Sequence, residues 1–139
     1  MRARSVLAPA LFALLAAAPS ARAAGTGDAS GPWQTEDGSA VVRIAACGPA
    51  LCGTIIWAEK PLDAKGQPLC GRAILGDIVE TGAGSWGKGW IYSPKTGSQY
   101  PVTLTLAADG KLKLHISAGL FGKDQTWTRP SQTVAACTP

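Results

Sequence analysis

Histidine occurs once in this chain of 139 residues, methionine once and phenylalanine twice. A zinc centre built from several imidazoles is excluded, and His115 alone would need carboxylates or thiols converging from other segments. No serine sits in a nucleophile-elbow pattern, and no glycine-rich turn leads into a helix that could hold a phosphate. Paired carboxylates are equally scarce: Asp77 and Glu80 fall at i and i+3 of one extended stretch, so they point to opposite faces. A long apolar run is missing too. The stretch from Val6 to Ala18 is too short to span a bilayer, and no second one follows. Nor is there a basic stripe. The formal charge of +4 includes Arg2, Arg4 and Arg22; without these three, ten of the 13 basic residues remain against nine acidic ones, with the lysines dealt out singly. Nucleic-acid binding, which needs a concentrated basic surface, is excluded on that ground.

The three terminal arginines belong to a pattern of their own. A basic start, a short apolar stretch and the small-x-small site Ala21-Arg22-Ala23 predict a secretory signal over 1–23. A single domain over 24–139 would remain, soluble, monomeric and periplasmic or secreted. Four cysteines in a small exported domain predict two disulfides. In "CGPALCG", residues 47–53, four positions separate the cysteines and no helical pattern follows, so a redox-active pair is disfavoured. Cys47 and Cys52 flank a short turn between two strands and are expected to pair across it. Cys70 is then left for Cys137, which would tie the C-terminal tail to the domain.

Beyond the signal the helical period is absent. Short alternating runs are separated by glycine, proline and aspartate, which is a meander of strands. In "QYPVTLTL" residues Tyr100, Val102, Leu104 and Leu106 share one face, and after the turn "AADG" the run "KLKLHIS" places Leu112, Leu114 and Ile116 on one face. His115 falls between Lys113 and Ser117 on the opposite, solvent side. "EDG" at 36–38 and "SPKTG" at 93–97 read as tight hairpin turns. Eight strands are predicted, near 32–36, 40–46, 53–58, 72–79, 88–92, 98–106, 111–117 and 124–129, with one long connection, "EKPLDAKGQPL", at 59–69. The fold class is all-β. Short links favour an eight-stranded antiparallel up-and-down barrel, which removes exposed sheet edges; a two-sheet sandwich, with longer crossing connections, is the alternative.

"GPW", "CGPALCGTIIW", "PLCGRAILG", "GWIYSPKTGSQY", "KLKL" and "LFGKDQTWTR" occur in that order. Together they resemble the bacterial secreted family catalogued as domain of unknown function 2147, across nearly all of the chain after the signal. The resemblance implies a lipocalin-like barrel and supplies no catalytic residues. It also implies that the glycine-x-tryptophan opening, Gly31 to Trp33, meets an arginine of the last strand. Arg129 shares a strand face with Trp127 and could lie over the Trp33 indole, plugging one barrel end. The chain departs from the family pattern in the shorter loop "DAKGQPLCG", in "LHIS" at 114–117 and in "GKDQTW" at 122–127.

Five tryptophans are a heavy load for so small a domain. Trp86 and Trp90 share strand parity in "SWGKGW", with Tyr92 next on the same face, and rings on a barrel wall either fill the core or contact an apolar ligand. Trp57, Trp86, Trp90 and Tyr92 are therefore the candidate wall residues. Asp63, beside Lys60 and Lys65 in the long loop, is the candidate for the rim of a site, and Arg129 the candidate polar anchor. No cofactor or metal is called for. The expected function is binding of a small apolar ligand or an envelope component, without enzymatic activity. The alternative is an interaction or inhibitor module with a filled barrel.

Overall fold

The computed structural model describes residues 28–132 and Cys137, together with the isolated positions Ala3, Ser5, Ala10 and Ala13. The predicted signal therefore lies outside the described residues except at those four positions. Among the described residues no helix is long and apolar enough to cross a membrane.

The alternating runs form eight antiparallel strands that neighbour one another in chain order. They are β1 (Gly31–Gln34), β2 (Ala40–Cys47), β3 (Ala50–Ala58), β4 (Ala73–Gly82), β5 (Ser85–Ser93), β6 (Ser98–Leu106), β7 (Leu112–Ala118) and β8 (Phe121–Trp127). The expected order and hairpins are all present. The ends of β3, β5 and β8 reach about three residues further N-terminal than predicted. The neighbouring strand supplies ladder partners for these added residues, such as Ser117 opposite Gly122. Gly97 closes the turn at 93–97, its N–H donating to the Ser93 carbonyl at 2.8 Å.

The sheet curls until its first and last strands meet. Gln34 N–H donates to the Thr128 carbonyl at 2.7 Å and Thr128 N–H to the Gln34 carbonyl at 3.1 Å. This bridge just past β8 is the extent of backbone pairing between the two edges among the described residues. The structure is thus an up-and-down sheet, strongly curled, with one point of contact at its seam.

Its concave face is apolar. Leu104, Leu112, Leu114 and Trp127 are each at most 1% exposed, and Trp33 and Val42 are fully buried. Cross-strand pairs knit this surface together: Trp33 opposite Val42, Leu104 opposite Leu114, Leu112 opposite Trp127. The inward pattern read for β6 and β7 is the one observed.

In β4 and β5 the alternation breaks. Leu75 and Ile91 pair inside, and Gly76 and Trp90 pair outside. Then Asp77 and Lys88 adopt left-handed backbone, with φ of 55° and 61°. Beyond them Ile78 is again buried inside, opposite Leu51, and Trp86 lies inside opposite Leu104. Each strand carries one extra residue against its outer neighbour, a β-bulge. The two bulges face one another, so β4 and β5 stay in mutual register while both change face.

Candidate functional site

One end of the curled sheet is held by the residues that open and close the pairing. The Arg129 guanidinium lies 3.7 Å from the centre of the Trp33 ring. Its Nη1 donates to the Pro32 carbonyl at 3.1 Å and its Nη2 to the Asp28 carbonyl at 3.3 Å. Trp33 is fully buried and uses its one polar atom, Nε1, to donate to the Ala29 carbonyl at 2.7 Å. Gly31 is required beneath this stack. Its φ is 103°, and a Cβ there would stand 2.9 Å from the guanidinium. The glycine-x-tryptophan opening thus has a steric reason: the glycine makes room for the arginine that covers the tryptophan. The ring stack and the two backbone carbonyls hold Arg129 in this plug.

The hairpin turns at the other end include the long β3–β4 connection, which folds down onto the outer face of β5. Asp63 is its anchor, with a fully buried side chain. Its Oδ1 accepts the backbone N–H groups of Lys65 at 2.9 Å and Gln67 at 2.8 Å. Its Oδ2 accepts Arg72 Nη1 at 2.9 Å and the Tyr92 hydroxyl in a short hydrogen bond. The Arg72 guanidinium also lies 3.9 Å from the centre of the Tyr92 ring. Four donors on one carboxylate leave little acceptor capacity for a ligand, so Asp63 is a latch for the loop rather than an open rim group. The loop is fastened further by Ala64 N–H donating to the Pro94 carbonyl at 2.9 Å. Arg72 escaped the sequence reading because a lone arginine at a strand start carries no signal of its partner nine residues back.

This latch should set the pH range of stability. The Tyr92 hydrogen bond, against the opposing effect of burial, holds the Asp63 carboxyl below its ordinary value of 3.8, with help from the Gln67 and Lys65 amides and Arg72. Its contribution is present above that value and lost as pH falls through the lower folded one. The same hydrogen bond, with burial, raises the Tyr92 hydroxyl above its ordinary 10.0. That contribution is present below 10.0 and lost as pH rises through the raised value. Asp37 adds to the acid limb: partial burial pushes it up, but the Ser39 hydroxyl and amide, the Thr35 hydroxyl and Lys95 together hold it at about 2. Urea midpoints measured across pH should therefore be flat between these limits. Tyr92→Phe should lack the alkaline decline that wild type shows. Parallel declines in the two proteins would refute the assignment.

The structure does not bring the other candidates together. Of the aromatic wall residues only Trp86 belongs to the concave face, 8% exposed. Because the chain turns left-handed at Lys88, Trp90 and Tyr92 emerge on the convex side, paired with Pro101 and Gln99. The shared face read from their spacing is therefore corrected. Trp90 lies over Gly76, where a Cβ would collide with the indole, and donates its Nε1 proton to Asp77 Oδ2 at 3.1 Å. Trp57 sits half-buried opposite Val41, outside the packed core.

Two disulfides secure the arrangement: Cys47 to Cys52 across the β2–β3 turn, and Cys70 to Cys137. Cys137 N–H also donates to the Ile56 carbonyl at 2.7 Å, so the tail residue is bound to β3 as well as to the loop. His115 is outward, as read, but it has a partner the sequence reading missed. Its Nδ1 lies 2.6 Å from Asp124 Oδ1 on the facing strand. The pair borders a shallow convex-face hollow of about 250 Å³ shared with Thr103, Thr105, Lys113 and Thr126. Among the described residues no group of three or more potential metal ligands converges.

No curated protein matches this chain. Among solved structures, protein HP1028 from the human pathogen Helicobacter pylori, described as belonging to the lipocalin family, is similar. Its TM-score is 0.65 at 22% identity, over 75% of this chain and 84% of that one. At that identity the likeness is one of fold. A family model described as "Uncharacterized protein conserved in bacteria (DUF2147)" matches residues 31–129, from the glycine of the plug to its arginine. The chain belongs to the bacterial family DUF2147.

Proposed function

We propose that this protein is exported and binds a small, mostly apolar molecule inside the curled sheet, closed as a lipocalin-like barrel, acting as a carrier rather than an enzyme. The observation that carries this reading is the concave face itself. It is apolar from Leu104 and Leu114 to Trp127, and the Trp33–Arg129 plug lies at one end, so a ligand would enter from the loop end by parting side chains that pack against one another. A wall of this kind holds an apolar ligand through buried area, at roughly 25 cal/mol per Å², and presents no general base. Export is supported by the basic and apolar N-terminal pattern and by two disulfides, which suit an oxidising compartment.

Titration with an apolar fluorescent probe such as anilinonaphthalene sulfonate tests it. Binding should draw energy from tryptophan. Trp86→Phe should weaken that transfer, whereas Trp90→Phe, on the convex side, should leave it nearly unchanged. If no probe binds below the concentration at which the protein aggregates, the carrier reading fails. The second reading, an interaction module with a filled interior, is favoured by the complete burial of Trp33 and the near-complete burial of Trp127. It would then take over.

A further inference from the structure

The seam between β1 and β8 leaves part of β8 without a neighbour. Alternate residues of a strand direct their backbone groups the same way, and two positions settle which way. Thr128 is paired with Gln34 on the β1 side. Two residues earlier, Thr126 N–H is met by a side chain, Glu36 Oε2, at 3.1 Å. The next two in this series are Asp124 and Gly122. β1 has ended at Gln34 by this level, and among the described residues no group pairs with the N–H or C=O of either. An unpaired strand edge is a template for another strand.

The local side chains leave this edge accessible. Gly122 has none, and the His115 ring lies where its Cβ would be. Asp124 is drawn back over β7 by the same histidine. On the other face of the strand Phe121 is 80% exposed, and Leu120 in the preceding turn is 99% exposed. Lys123 shares that face with Phe121, two residues along.

We propose that the β8 edge at Gly122–Asp124 binds an extended peptide segment by strand addition. The segment would carry an acidic side chain opposite Lys123 and an apolar one two residues on, opposite Phe121. The backbone groups of Gly122 and Asp124 supply the main-chain hydrogen bonds, and the two facing side chains supply the choice of partner. A second copy of this chain does not fit. The two-fold register that satisfies both free residues pairs Gly122 with Asp124 of the other copy, and so sets Lys123 directly against itself. Like charges directly opposite are destabilising. The inward lysine excludes self-pairing and selects a carboxylate.

The probe is a blocked pentapeptide, Thr-Glu-Thr-Val-Thr, titrated into the isotopically labelled full chain. The amide signals of Gly122 and Asp124 should shift and their hydrogen exchange should slow. Substituting lysine for the glutamate should weaken binding about tenfold, from attraction to repulsion across one pair. Lys123→Glu should reverse the preference between the two peptides. Unperturbed Gly122 and Asp124 amides at the solubility limit of the peptide would overturn the proposal. So would a preference unmoved by Lys123→Glu, or protection of those amides through a dimer formed without peptide.

Discussion

Replacing Trp33 with alanine is expected to lower the folding free energy by about 3–5 kcal/mol, the range for deleting a large aromatic from a packed core. The side chain is completely buried. Its loss empties the plugged end of the sheet and orphans the Ala29 carbonyl that its Nε1 serves. It also strips Arg129 of the surface on which it lies. Arg129→Ala alone should cost less, about 1–2 kcal/mol, because the stack, the stem packing and two exposed hydrogen bonds go while the indole stays. The two effects should not add: once Trp33 is gone, Arg129 has little left to contribute. Chemical denaturation of both single variants and the double variant measures this directly. A Trp33→Ala loss below about 1 kcal/mol, or strict additivity, would mean the end is not held by the stack.

Removal of the Cys70–Cys137 disulfide should be the next largest effect, about 4 kcal/mol on the chain-entropy estimate for a closed loop of this length. The bridge spans a sequence separation of 67. The Cys47–Cys52 bridge, spanning five, should be worth about 2 kcal/mol. The contrast follows from what each constrains in the unfolded chain. The short bridge closes a turn that the β2–β3 ladder already holds, while the long one ties a distant tail across most of the domain. Serine substitutions of each pair, compared by denaturant midpoint under oxidising conditions, should rank in that order. If both variants unfolded at the same midpoint, loop length would not be what governs the two bridges here.

Much of this was readable because β6 and β7 alternate without interruption: Leu104 and Leu114 could hardly face anywhere but inward once the hairpin was recognised. The plug was readable for a different reason, the resemblance carried by "GPW" and "TWTR". What escaped depends on single backbone angles and on contacts distant in sequence. A bulge at Lys88 has no residue signature, since lysine rarely turns left-handed, and so Trp90 and Tyr92 were read on the wrong face. Asp63 was legible as a loop carboxylate but not as a latch, because Tyr92 lies 29 positions away. The Asp124 partner of His115 was hidden because, although Asp124 was read within the last strand, no residue signal sets the register that brings it opposite His115.

Bulges that face each other in neighbouring strands act like two compensating frameshifts. Each alone would scramble the reading of every position beyond it, and together they restore the frame between β4 and β5. Deleting one residue at Lys88 would restore strict alternation in β5, carrying Trp90 and Tyr92 toward the core and Ile91 out of it. The Asp63 latch would then have no tyrosine to fasten to. Deleting one residue beside Asp77 would do the reverse to Ile78. Neither irregularity can therefore be lost by a single small step. A relative that lacks one of them should lack the other, and its aromatic residues should be sorted between inside and outside by the opposite parity.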